Sequence, residues 1–152
     1  MNPLQSLDEY ELFIYALLQH YPAVHRSTLV VIRRGAGVAA VRGDLEFARG
    51  IRLGVREKLS AAEHSFVIEG YSYEVWRGDE LLYWYDSQPH PNEASLASTH
   101  PHHKHVPPDI KHNRIPAPGL SFTSPNLPFL IEEIERDLIR GDIEAGRGSR
   151  PA

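Results

Sequence analysis

The chain of 152 residues has no cysteine, one methionine and no long apolar run. Without thiols there is no disulfide scaffold, no cysteine nucleophile and no thiolate-ligated metal centre. A transmembrane helix needs about 18 or more consecutive apolar residues, so no membrane partner is expected. Met1-Asn2-Pro3-Leu4 lacks the basic and then apolar order of a secretory leader, which makes the cytoplasm the expected compartment. A Gly-Lys-Ser/Thr phosphate loop, a Gly-x-Ser-x-Gly elbow and a His-Glu-x-x-His helix are all missing. Gly35-Ala36-Gly37 follows a strand without opening a helix, so a dinucleotide fingerprint is unsupported.

Histidine and proline, by contrast, are concentrated. Six of the nine histidines and nine of the twelve prolines fall between residues 89 and 128. Charge is uneven as well, beneath a net value of −4. From Arg26 to Lys58 eight basic residues face three acidic ones, Asp44, Glu46 and Glu57. Such a local excess is either a solvated sheet face or a phosphate footprint.

The periodicity predicts an α+β fold in residues 1–140: an antiparallel β-sheet meander of about five or six strands packed with an N-terminal and a C-terminal α-helix. Ser6 and Glu9 make a capping-box pattern, and apolar residues from Leu7 to Tyr21 repeat at helical spacing until Pro22. Between Thr28 and Tyr85 the period becomes two, with glycine-containing connections. Arg42, Arg52 and Arg56 alternate with apolar neighbours and so share the exposed face. Residues 86–126 show no sustained period and read as a His/Pro-rich loop, with a short extended piece at His102 to Val106. Leu127 to Leu138 reads as the closing helix, stopped at Gly141, and 141–152 as a disordered tail.

Pro101-His102-His103-Lys104-His105 carries the most chemistry. In an extended strand His103 and His105 share one face, while His102 and Lys104 share the other. Two imidazoles so placed suit acid–base work, a metal site completed by His90, His100, Asp86 or Asp109, or no chemistry at all. Asp86 suits a carboxylate–histidine hydrogen bond. Tyr71 and Tyr73 share a side and are candidates for base stacking, with a core role as the alternative. Glu57 reads as a surface ion-pair partner or a second general base.

These blocks resemble the TumE family, toxin components of prokaryotic toxin–antitoxin pairs. The resemblance rests on Tyr71-Ser72-Tyr73 leading to Asp86-Ser87-Gln88-Pro89-His90, then Pro101 to His105, then the helix from Leu127 to Leu138. Gly43 to Leu53 followed by Glu57 adds a weaker match. The resemblance implies a toxin with a cognate antitoxin; the paired histidines, a lysine and the basic strand face together make RNA cleavage or RNA binding the expected activity. His90, His103, His105, Lys104 and Asp86 are then the expected catalytic group. Tyr71, Tyr73, Arg42, Arg52 and Arg56 are the expected substrate contacts. No cofactor is required on this reading; the alternative is a divalent transition metal on His90, His103 and His105. A non-catalytic module that docks nucleic acid or a protein also suits these residues, as does a homodimer.

Overall fold

A computed structural model describes residues 1–141. Ser6 caps α1 (Leu7–Tyr15), its hydroxyl accepting from the Glu9 amide at 3.1 Å. The expected helix over 6–21 is broken at Ala16, where ψ falls to −1°, and resumes as the short α2 (Leu17–His20). Seven strands then form one antiparallel path: β1 (Arg26–Ser27), β3 (Val38–Glu46), β4 (Ile51–Ala61), β5 (Phe66–Arg77), β6 (Glu80–Asp86), β7 (His103–His105) and β8 (Arg114–Pro116). An eighth, β2 (Val30–Arg33), pairs with β3 on the same edge as β1.

The sheet therefore has eight strands rather than five or six. The additional strands are the two-residue β1 and, from the 86–126 segment, β7 and β8; that segment also supplies a 3-10 helix at Ala94–Thr99. Neither β7 nor β8 is long enough to show a period; β7 is recruited by the free edge of β6, and β8 by that of β7.

Alternation decides the two faces. On β4, Ile51, Leu53, Val55, Glu57 and Leu59 are buried, while Arg56 and Lys58 are exposed. A bulge at Glu69 lets both Ile68 and Tyr71, three residues apart, face the core. Gly43 has φ +136°, and a Cβ there would sit 2.5 Å from the Thr28 carbonyl oxygen, so β1 and β2 close onto β3 only over glycine.

Two helices cover the core face. Tyr10 and Ile14 of α1, and Leu127, Leu130, Ile131 and Ile134 of α3 (Leu127–Ile134), join the strand side chains in one cluster. The helical path continues from Glu135 to Arg140 in a wider form. Gly141 does not stop it, keeping helical angles (φ −60°, ψ −43°), because no left-handed cap forms there. The expected tail beyond it lies outside the described residues. Among the described residues no helix is long and apolar enough to cross a membrane.

Candidate functional site

Strand register builds the site. Directly opposed residues share a face, so the pairs Arg42–Arg56, Arg56–Ser72, Ser72–Asp86 and Asp86–His103 form one row across the open side of the sheet. The adjacent row runs Gly54–Glu74–Trp84–His105–Arg114. Asp86, His103 and His105 thus meet where β6 and β7 pair.

The contacts are close. Asp86 Oδ1 lies 3.0 Å from His103 Nε2, Asp86 Oδ2 lies 3.5 Å from His105 Nε2, and the two Nε2 atoms are 3.2 Å apart. His103 and His105 are 1% and 4% exposed, so these contacts are made largely out of water. Each Nδ1 faces a main-chain carbonyl: Pro101 at 3.0 Å for His103 and Ile110 at 2.9 Å for His105. A carbonyl only accepts, so both Nδ1 atoms carry hydrogen and both Nε2 lone pairs point at the carboxylate. Three acceptors converging on one point need a proton or a cation between them.

The proton has a preferred place. Burial opposes charge on His103, but hydrogen bonds to Asp86 and to the Pro101 carbonyl overcome it and raise its pKa. Burial depresses His105, and the Ile110 carbonyl and Asp86 do not recover the loss; His103 and Arg114 add to it. Burial would raise the Asp86 carboxyl, yet hydrogen bonds from His103, the Gln88 amide and the Trp84 indole hold it well below the usual carboxylate range. The surroundings thus favour the proton on His103 over His105 and keep Asp86 ionised.

His90 joins this group, its ring 4.9 Å from that of His103 and set edge-on to it. Trp84 stacks on His105 at 3.7 Å between ring centroids. Arg114 stands beside His105 in register, its Nη1 donating to Glu93 Oε1 at 2.6 Å. Sequence reasoning missed Arg114 and Ser72. Arg114 lies in none of the quoted motifs, and Ser72 sits unmarked between two motif tyrosines; only the strand pairing brings them to the site.

Other expected residues are placed elsewhere. Lys104 turns to the helix side, where Nζ lies 3.5 Å from Glu133 Oε2 and 4.2 Å from the Tyr83 ring centroid. Strand alternation separates it from the histidines. Tyr71 and Tyr73 also turn inward: Tyr71 pairs with His102 Nδ1 at 2.7 Å, and Tyr73 donates to Glu57 Oε2. Glu57 is no surface residue; it shares the parity of Val55 and lies buried, also accepting from Tyr10 at 2.6 Å. Burial raises its pKa, against the pull of the two phenols. Arg42 and Arg56 are exposed in line with the site, whereas Arg52 is drawn aside by Asp44 at 3.4 Å and the Trp76 ring. Asp109 is occupied at the surface by His112, and His100 is exposed.

Asp86, His103 and His105 could hold a metal, because one ligand atom from each lies within 4.8 Å of the others. The carbonyls on Nδ1 are the outer contacts that metal-binding histidines use. The donors fit a divalent transition ion as well as they fit a proton.

This fold and site define a small α+β protein with a buried carboxylate–bis-histidine centre on an otherwise open sheet face. The family model for toxin TumE matches residues 14–138, and the chain belongs to that toxin family. No curated protein and no solved structure matches.

Proposed function

We propose that this toxin acts on RNA as a ribonuclease, with Asp86, His103 and His105 as its acid–base centre and with the cognate antitoxin that its family implies. The observation that carries the reading is the His103–His105 pair. Two imidazoles with fixed tautomers share a 3.2 Å Nε2 contact and hold protons with opposite preference.

The roles follow from that asymmetry. His105 Nε2 takes the proton of a ribose 2′-hydroxyl as O2′ bonds to phosphorus. The P–O5′ bond breaks, and O5′ leaves with the proton from His103 Nε2. The products are a 2′,3′-cyclic phosphate and a 5′-hydroxyl. The proton then returns from His105 to His103 across their contact, which restores the starting state. Asp86 stays ionised and steadies the imidazolium. Substrate enters past His90, on the segment that Glu93 ties to Arg114.

The test incubates purified toxin with labelled RNA in chelator. Cyclic-phosphate ends are expected, and are lost in His103→Asn and His105→Asn. Cleavage that survives both substitutions overturns the assignment.

The convergence of three acceptors favours a second reading, a divalent transition ion bound by Asp86, His103 and His105. Elemental analysis of untagged protein separates the two. Stoichiometric metal that is lost in His103→Asn favours the ion, and metal-free protein that still cleaves favours the proton.

A further inference from the structure

Seven arginines on or beside β1 to β4 and β8 divide into two groups. Arg26, Arg33, Arg52 and Arg114 each have a carboxylate partner: Glu46, Asp8 with Glu11, Asp44 and Glu93. Arg34, Arg42 and Arg56 have none among the described residues, and all three line a single cleft on the open face. Arg42 and Arg56 are directly opposed across β3 and β4, an arrangement of like charges that costs stability. Lys58, opposite Ala40, lines the same cleft and is drawn toward Glu69 at 3.5 Å.

Small side chains make the floor. Ala40, Gly70 and Ser72 leave a hollow of about 380 Å³ between the cationic residues. That space is on the scale of a single nucleotide. Glu74 and Asp44 line a neighbouring hollow that Arg42 and Arg56 also border, with Asp44 held by Arg52 and neither acid in the lining of the cleft itself. Glu57 does border the cleft, but its carboxylate is buried and engaged by Tyr10 and Tyr73.

The cleft lies in line with the histidine centre. The row from Arg42 through Arg56, Ser72 and Asp86 to His103 crosses five strands. At about 4.8 Å per strand, Arg56 lies about 10 Å from Asp86 and Arg42 about 19 Å from His103, measured along the backbone. A few nucleotides of extended chain cover that distance.

We infer that the Arg34–Arg42–Arg56 cleft is a phosphate-binding subsite for single-stranded RNA, holding phosphates a few nucleotides from the bond that the histidines cleave. The inference rests on the ribonuclease reading and names its substrate class. Opposed cations without acids are stabilised when a phosphate lies between them.

Two measurements test it. The first is the ratio of kcat/KM for a single-stranded octaribonucleotide to that for a dinucleotide. It should exceed about tenfold in the wild type and fall toward unity in Arg42→Ala/Arg56→Ala, since only the longer chain reaches the cleft. A ratio unaltered by the double substitution overturns the proposal. The second is binding of an all-2′-deoxy octanucleotide, which cannot be cleaved, followed by anisotropy against salt. The slope of log K on log salt should shrink by about 1.4 in the double variant, from about 0.7 for each lost phosphate contact. Arg26→Ala, a cation removed from an ion pair on β1, sets the scale for charge loss outside the cleft. An equal shrinkage in Arg26→Ala overturns the subsite. So does poly-L-glutamate that displaces the oligonucleotide at matched charge, which would assign the cleft to an acidic protein segment. A toxin that cleaves nothing would defeat the ribonuclease reading, while the salt slope would still decide the cleft.

Discussion

Glu57 and Asp86 are both hydrogen-bonded carboxylates on central strands, Glu57 buried and Asp86 20% exposed, and their environments drive them in opposite directions. Glu57 lies on the covered face and meets two phenols, Tyr10 and Tyr73. Asp86 lies on the open face and meets His103, the Trp84 indole and the Gln88 amide. A phenol lends a hydrogen bond but brings no positive charge, so burial prevails and the Glu57 pKa rises. An imidazole can become a cation, and with it Asp86 stays charged. Partner chemistry, together with depth, separates the two acids.

The sharpest way to break this contrast is to remove the imidazoles. His103→Asn or His105→Asn should lower RNA cleavage by roughly 10²–10⁴-fold, the usual weight of a general acid or base. Asp86→Asn should leave the fold intact and lower the His103 pKa, seen as an acid-side shift in its NMR titration and in the pH–rate profile.

Next in size is the covered face. Glu57→Ala leaves two buried phenols without their acceptor and should cost about 2–4 kcal/mol in urea unfolding. The pH dependence carries the comparison further. Because the folded Glu57 pKa is raised, its contribution is fully present below the unfolded carboxyl value and is lost as pH rises through the folded one. The lowered Asp86 pKa acts the other way: its contribution is present above the unfolded value and lost as pH falls through the folded one. Urea midpoints against pH should therefore flatten on the rising-pH side in Glu57→Gln and on the falling-pH side in Asp86→Asn. Identical profiles for the two variants would sink the contrast.

A smaller effect is expected at Lys104, one residue from each histidine but on the helix side. Lys104→Met should cost about 1–2 kcal/mol by leaving the buried Glu133 carboxylate with the Tyr85 hydroxyl but no cation, with turnover within about twofold. A collapse of turnover at unchanged stability would return Lys104 to the active centre. Glu93→Gln should have the least effect on stability, below about 1 kcal/mol for a partly exposed pair. It should also loosen the segment carrying His90, read as faster proteolysis between residues 87 and 100.

Much of the fold and site was legible from alternation. The shared face of Arg42, Arg52 and Arg56 follows from period two alone, as does the opposition of Lys104 to His103 and His105. Glu57 had the same signal: it continues the inward parity of Ile51, Leu53 and Val55, but its charge among arginines suggested the surface. The inward turn of Tyr71 was harder to see, because the Glu69 bulge resets parity just before it. Arg114 was not legible at all. Its strand is three residues long, and its place beside His105 exists only because β7 offers an edge.

The tautomers of His103 and His105 are set by the carbonyls of Pro101 and Ile110. Those acceptors are main-chain atoms, so no side-chain exchange at residues 101 or 110 removes them. What fixes the two tautomers is the length and path of the chain on either side of a three-residue strand. Altering them therefore calls for an insertion or deletion beside that strand, a change in the spelling of the loop rather than in its letters.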